Sequence, residues 1–210
     1  MQGLTYYPVF LNLANKECLI VGGGKVAQRK ALKLIEAGAS LTIVAPELTE
    51  ELNRLKTAGR FTHRQRTFVK DDLDGVFLVI AATSDKRVNE EIAAQFNGLI
   101  NVVDSPQRCS FIVPSSVTRG ELTIAVSTSG ASPALASTIR QELEALYPED
   151  FADYVSFLRT YRQRVLDSNA DIEHKDALIK EAAGKDFVEA VRVGRLEAVK
   201  ARLSQWPVSS

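Results

Sequence analysis

Two cysteines, one methionine and one tryptophan among 210 residues exclude several kinds of site at the outset. Cys18 and Cys109 lie far apart and neither belongs to a Cys-x-x-Cys pair, so no cysteine-built metal centre or disulfide framework is expected. Cys18 reads as a buried strand residue, and Cys109 as small-residue packing with a reactive thiol as the alternative. The two histidines, His63 and His174, are isolated in polar surroundings, read as surface residues and offer no metal pair. Charge of one sign is also lacking: 26 acidic and 26 basic residues cancel, and no global field favours nucleic acid or an anionic membrane. No apolar run approaches the roughly 20 residues that span a bilayer, and no signal-like core follows a charged N-terminus. The expectation is a soluble cytoplasmic protein without membrane or nucleic-acid partners, long enough for one full domain and a smaller one.

What is present begins at Cys18-Leu-Ile-Val-Gly-Gly-Gly-Lys-Val-Ala27. An apolar run stops at three glycines and hands over to a helical pattern, Val26 through Ala37, closed by Gly38. At the required spacing this is Gly22-x-Gly24-x-x-Ala27, the dinucleotide fingerprint with alanine in third place. Gly22 suits the tight turn, Gly24 the close approach of a pyrophosphate, and Ala27 the packing of helix on strand. The helix N-terminus then offers free N–H groups and partial positive charge to phosphates. The alternative is a glycine-rich turn that binds nothing.

Short β-rich runs then alternate with helical ones, which predicts a parallel sheet with crossover helices. Ser40–Val44 is a strand bounded by Pro46, with a helix near Glu50–Ala58. Phe61–Arg66 reads as a polar edge strand, and Val76–Ala81, apolar throughout, as a central one. A helix is expected over Lys86–Phe96 and a strand over Leu99–Val103, ending at Asp104-Ser-Pro106. Beyond this the pattern changes. Phe111–Val117 and Leu122–Ser127 read as a hairpin turning at Thr118-Arg-Gly-Glu121, and Ser132-Pro133 opens a helix with serine as cap. From about Pro148 the chain reads as helical, with Tyr154, Leu158, Tyr161 and Val165 on one face and Phe187, Val191, Val199 and Leu203 on others.

The motifs Pro8-Val-Phe-Leu-Asn-Leu13, Val21 to Lys30, Ala81-Ala-Thr-Ser-Asp85, Asn101-Val-Val-Asp104, Ser110-Phe-Ile-Val-Pro-Ser115 and Ser127-Thr-Ser-Gly-Ala-Ser-Pro133 occur in order and at compatible spacing. Over about residues 4 to 165 the chain resembles the precorrin-2 dehydrogenase family, the dehydrogenase/ferrochelatase module of sirohaem synthases. That resemblance implies NAD-dependent oxidation of precorrin-2 to sirohydrochlorin, with Fe²⁺ insertion in some members. It also implies a homodimer. The expected fold class is α/β: a Rossmann-type parallel sheet domain over 1–113, a β-hairpin/helix dimerisation domain over 114–147 and a helical C-terminal region over 148–210. The length of the chain leaves no room for the methyltransferase module fused to some relatives, so precorrin-2 is expected from a separate enzyme.

The resemblance assigns Asp104 as the catalytic carboxylate; from the residues alone it reads rather as an aspartate capping the turn before Pro106. The expected cofactor-binding residues are Gly22, Gly24, Lys25, Val26, Pro46, Glu47, Thr83, Asn101 and Val103. Glu47 stands roughly where a Rossmann carboxylate meets the adenosine ribose, with a solvent-facing helix-start glutamate as the alternative. No arginine lies between Ile43 and Asn53 to receive a 2′-phosphate, which favours NAD over NADP. Ser127, Thr128, Ser129, Gly130 and Ser132 form a hydroxyl-rich turn at a helix N-terminus, suited to the carboxylates of precorrin-2 or, alternatively, only to capping. Lys25, Arg108, Arg119 and Arg140 are further basic candidates, and no metal site is expected. A Rossmann module that senses nucleotide without chemistry, or a different NAD-dependent dehydrogenase, are the competing functional readings.

Overall fold

A computed structural model describes residues 6–205; the outermost residues of the domains read above, 1–5 and 206–210, lie outside it. The chain forms two compact units, Met1–Val113 and Pro114–Ser210. The boundary read at residues 147 and 148 falls inside the second.

In the first unit, strands β1 (Glu17–Val21), β2 (Ser40–Val44), β3 (Thr62–Arg64), β4 (Leu78–Ala81) and β5 (Leu99–Val102) form one sheet in the order β3-β2-β1-β4-β5. Every pairing is parallel, as crossover helices require. Those helices are α1 (Lys25–Glu36), α2 (Glu50–Thr57) and α3 (Lys86–Gln95). The apolar runs are explained by burial on both faces. Cys18, Ile20, Leu41, Ile43, Leu78 and Ile80 pack with Ala27, Ala31 and Leu34 of α1 and Leu52 of α2. Their alternating neighbours Leu19, Val21, Val44, Val79, Ala81, Ile100 and Val102 pack on the other side with Ile92 of α3.

Two details differ from the sequence reading. β3 is shorter than Phe61–Arg66, because Phe61 is buried in the first core and the chain leaves the ladder after Arg64. His63 is half-buried rather than on the surface: its Nε2 donates to the Ala45 carbonyl at 2.9 Å.

The second unit holds a two-stranded antiparallel hairpin, β6 (Ser115–Arg119) and β7 (Leu122–Val126), then α4 (Pro133–Leu146), α5 (Asp150–Leu166), α6 (Ile172–Ala182), α7 (Lys185–Arg192) and α8 (Leu196–Ser204). The first hairpin strand starts four residues later than the apolar run suggested. Phe111 packs instead into the first core of the sheet domain, and its carbonyl accepts from Asn101 Nδ2 at 3.1 Å. The turn also narrows to Gly120 and Glu121, because Thr118 and Arg119 pair with Thr123 and Leu122. Tyr154, Tyr161, Val165, Phe187, Val191, Val199 and Leu203 lie in the core of the helical part, as their spacing predicts; Leu158 is only partly buried against it, and Phe151 joins it. The Tyr154 hydroxyl donates to the Ala182 carbonyl at 2.6 Å, and burial pushes its pKa up to about 12. No helix among the described residues is long and apolar enough to cross a membrane.

Candidate functional site

The carboxyl ends of the five parallel strands open onto one cleft of about 680 Å³, where open α/β sheets bind ligands. Followed along the sheet, its wall is Arg66, Thr67 and Phe68 beyond β3, Pro46 and Glu47 after β2, and Gly22 to Val26 after β1. Thr83, Ser84 and Asp85 after β4 and Val103 and Asp104 after β5 complete it. The structure thus brings together all the expected cofactor residues except Asn101. That side chain serves the fold instead. Its amide holds Phe111 O, and beside it Cys109 Sγ sits 3.2 Å from Val102 N and 3.3 Å from Val102 O. Asn101 and Cys109 therefore fasten the segment returning along β5.

The three glycines are confined to different degrees. Gly22 has φ +123°, and a Cβ there would lie 2.3 Å from the Ala82 carbonyl oxygen, so the β1 turn needs glycine for both conformation and space. Gly23, unassigned by the motif, is the most confined: a Cβ would stand 1.9 Å from the Glu47 carbonyl oxygen. Gly24 has nothing within 4 Å of its missing Cβ, and it caps α1 without a side-chain hydrogen bond or an acidic residue in the first turn. An open floor beside uncapped helix amides fits a pyrophosphate.

Asp104 is exposed and has φ +59°, a left-handed conformation that aspartate tolerates better than most residues. Its carboxylate makes no hydrogen bond or ion pair among the described residues, whereas a turn-capping aspartate would accept a backbone N–H. Glu47 is likewise exposed in the cleft, with no side-chain bond or ion pair among the described residues. Thr83 reaches the cleft, but its hydroxyl is engaged by Asn89 Oδ1 at 3.0 Å and the Asp85 carbonyl at 2.8 Å. It fixes the β4–α3 loop. Among the described residues no group of three or more His, Cys, Asp or Glu side chains could hold a metal ion.

Arg66 is invisible to motif reading, lying some forty residues beyond the fingerprint in a polar stretch. Its Nη1 and Nη2 each donate at 2.7 Å to the two oxygens of Asp72, which also accepts from Arg64 and, at 3.0 Å, from the Val69 N–H. The Asp72 side chain is fully buried. Burial alone would raise its pKa, but the bonds from Arg66, Val69 and Arg64 outweigh it and hold the carboxyl at about 2, below its ordinary 3.8. A depressed carboxyl stabilises the fold above its unfolded pKa and loses that contribution as pH falls through the folded value. On acidification from pH 4 to pH 2, thermal melts are expected to lose about 2 kcal/mol from this group, and Asp72→Asn is expected to flatten that slope.

In the second unit, Ser132 caps α4 by accepting from Leu135 N–H at 3.2 Å. Thr128 Oγ1 accepts from Ser132 N–H at 3.0 Å and donates to its carbonyl at 3.0 Å, and Ser127 Oγ accepts from Ser129 N–H at 3.0 Å. Three of the four turn hydroxyls thus build the turn itself, which passes through left-handed Ser129 and Gly130 at φ +52° and +86°. The Ser129 hydroxyl has no bond among the described residues. Arg119 is spent on structure, donating from Nε to Tyr147 O at 2.8 Å at the end of α4, and Arg140 pairs with Glu144 on the same helix. Lys25 and Arg108 remain exposed, with no ion pair among the described residues.

Comparison with known proteins agrees with this architecture. A family model described as "Putative NAD(P)-binding" matches residues 9–115, and one described as "Sirohaem biosynthesis protein central" matches 119–146. "Siroheme synthase" of Photorhabdus laumondii is 37% identical over 205 residues, covering 96% of this chain and 44% of that protein. "Siroheme synthase 3" of Aeromonas hydrophila is 44% identical over 165 residues, covering 77% of this chain and 35% of that protein. The chain therefore spans less than half the length of these curated relatives. The solved structure of "SirC, precorrin-2 dehydrogenase" superposes with a TM-score of 0.81 at 28% identity, covering 96% of this chain and 100% of that one. The first model spans half of the sequence: the chain belongs to the family described as putative NAD(P)-binding, and a segment like the central part of sirohaem biosynthesis proteins follows it.

Proposed function

We propose that the protein oxidises precorrin-2 to sirohydrochlorin with NAD, for sirohaem or a related tetrapyrrole, and that Asp104 is its general base. The observation that carries this reading is one cleft in which an unpartnered carboxylate, Asp104, shares a wall with the open Gly24 floor and the uncapped N-terminus of α1. Likeness to SirC over that protein's whole length supports it. A bound nicotinamide dinucleotide supplies the acceptor for a hydride. The chain supplies the rest. The amides of Lys25 and Val26 hold the pyrophosphate, Glu47 accepts from the adenosine ribose, and Asp104 takes the proton that leaves with the hydride at a carboxylate oxygen. Precorrin-2 and NAD⁺ thereby give sirohydrochlorin, NADH and one proton. In the second unit the Ser129 hydroxyl and the turn through Gly130 are the proposed contacts for substrate carboxylates. Ser127, Thr128 and Ser132 shape that turn.

Purified protein incubated with precorrin-2 and NAD is expected to develop sirohydrochlorin absorbance. Nucleotide binding with the tetrapyrrole left unchanged would instead mark a sensing module. The same assay run with NADP is expected to show a lower kcat/KM by about 1–3 kcal/mol, from repulsion between Glu47 and a 2′-phosphate. Equal efficiency would overturn the NAD assignment.

Two finer proposals accompany this. The same site inserts Fe²⁺ as a substrate, using Asp104 to receive pyrrole protons, in a cytoplasmic protein. The protein also works as a homodimer through its hairpin. The support for the latter is that β6 and β7 form a two-stranded sheet, each with an unpaired edge that a second copy can extend. Light scattering at micromolar concentration is expected to give twice the monomer mass. A monomer would refute the pairing.

A further inference from the structure

We propose that Arg66 is the adenine platform of the dinucleotide site and that Asp72 locks it with its hydrogen-bonding end turned away from a 2′-phosphate, so that the pair sets the choice between NAD and NADP. The inference rests on the reading of the cleft as a dinucleotide site. Strand order gives the placement. The pyrophosphate belongs at the α1 N-terminus, over β1 in the middle of the sheet, and Glu47 stands beside it after β2. Asp104, with the chemistry, lies after β5 at one end of the sheet. A dinucleotide running across the crevice therefore places its nicotinamide toward β5 and its adenine beyond β2, where Arg66 forms the wall.

The manner in which Arg66 is held decides what it offers there. Nη1 and Nη2 chelate the two Asp72 oxygens, and Nη1 also donates to the Thr67 carbonyl at 3.0 Å. The end-on fork that grips phosphates is thus occupied, while the side chain stays 42% exposed beside the cleft. A guanidinium bound through its edge leaves its flat faces uncovered, and those faces stack on planar rings. Charge points the same way. Asp72 neutralises Arg66 and is shared with Arg64, so the cluster keeps one net positive charge, with the Glu47 carboxylate across the same cleft. A 2′-phosphate, with about two negative charges, finds the end-on fork taken, only the Nε–H and one Nη2–H left over, and no excess of positive potential.

Calorimetric titration of the full chain with ADP and with 2′,5′-ADP reads the nucleoside half without any turnover. The unmodified protein is expected to bind ADP more tightly. Arg66→Ala leaves Asp72 its bonds from Arg64 and Val69, so the fold survives. It is expected to weaken both nucleotides by the same factor, about tenfold, because the lost face serves the adenine common to both. A loss confined to 2′,5′-ADP would overturn the proposal by showing that the fork already binds the phosphate. Unchanged affinity for both would overturn it by removing Arg66 from the adenine site. Asp72→Asn, if folded by its melting curve, is expected to free the fork and shift the affinity ratio about tenfold toward 2′,5′-ADP. An unshifted ratio would refute the lock, which a merely structural Asp72 predicts. Should that variant not fold, the equal or unequal losses in Arg66→Ala decide alone. If the unmodified protein binds neither nucleotide, the dinucleotide reading itself fails and this inference with it, an outcome distinct from every result above.

Discussion

Asp104→Ala is expected to slow precorrin-2 oxidation by about 10²–10⁴-fold, the usual worth of a positioned general base, with nucleotide affinity nearly unchanged. The split follows from placement. Asp104 follows β5, whereas the floor proposed for the pyrophosphate lies over β1, with β4 between them. Stability is also expected to hold, because the carboxylate makes no bond among the described residues that alanine would break. The one structural cost is at φ +59°, where alanine is less comfortable than aspartate. Asp104→Asn keeps that conformation without the basic oxygen and is the better matched variant. If the protein also inserts iron, both substitutions are expected to impair insertion into supplied sirohydrochlorin, a reaction in which NAD has no part. Near wild-type rates in both assays would return Asp104 to a turn residue. Loss of oxidation alone would place insertion elsewhere.

Gly24→Val is expected to abolish NAD binding while leaving the melting temperature close to that of the parent. The residue sits at φ −83° and ψ −174°, extended backbone that valine adopts readily, and no atom lies within 4 Å of the added Cβ. The branched side chain therefore fills only the space proposed for the pyrophosphate. Gly23→Ala is the contrasting control. Its single methyl would stand 1.9 Å from a backbone oxygen, so it is expected to destabilise the fold itself. Retained NAD affinity in Gly24→Val would mean that the loop is only structural.

The strands facing two cores are legible in the sequence because burial on both sides leaves an unbroken apolar run, as in Val79-Ile80-Ala81 and Leu19-Ile20-Val21. The glycine loop is legible because its chemistry is local, and Pro46, Glu47, Val103 and Asp104 follow because strand ends share one rim. The far wall is not. Arg66 reaches the rim from just beyond a short polar strand, and the buried carboxylate that holds it, Asp72, sits in the charged run Lys70-Asp71-Asp72, which carries no motif. Asn101 departs from its expected role for a related reason: strand position alone does not say whether a side chain faces the crevice or the segment packed alongside, and Phe111 claims its amide. Likewise, hydroxyls at Ser127, Thr128 and Ser132 announce a helix start without revealing that the loop consumes them.

The tight approach of Gly23 to the β2–α2 segment has a consequence for recognition. The Thr49 N–H donates to the Gly23 carbonyl at 3.0 Å, and the Thr49 hydroxyl donates to Gln28 of α1 at 2.7 Å while accepting from Leu52 N–H at 3.3 Å. The glycine loop and the β2–α2 segment, the proposed phosphate and ribose contacts, are in this way clasped together before any nucleotide arrives. Their conformational entropy is surrendered on folding and not again on binding, so the site is preorganised rather than moulded around its guest. Amide exchange at Thr49 and Gly22 is accordingly expected to be slow in the free protein and to slow little further with nucleotide. Loosening the clasp by Thr49→Val would then tax affinity from a position that touches no phosphate.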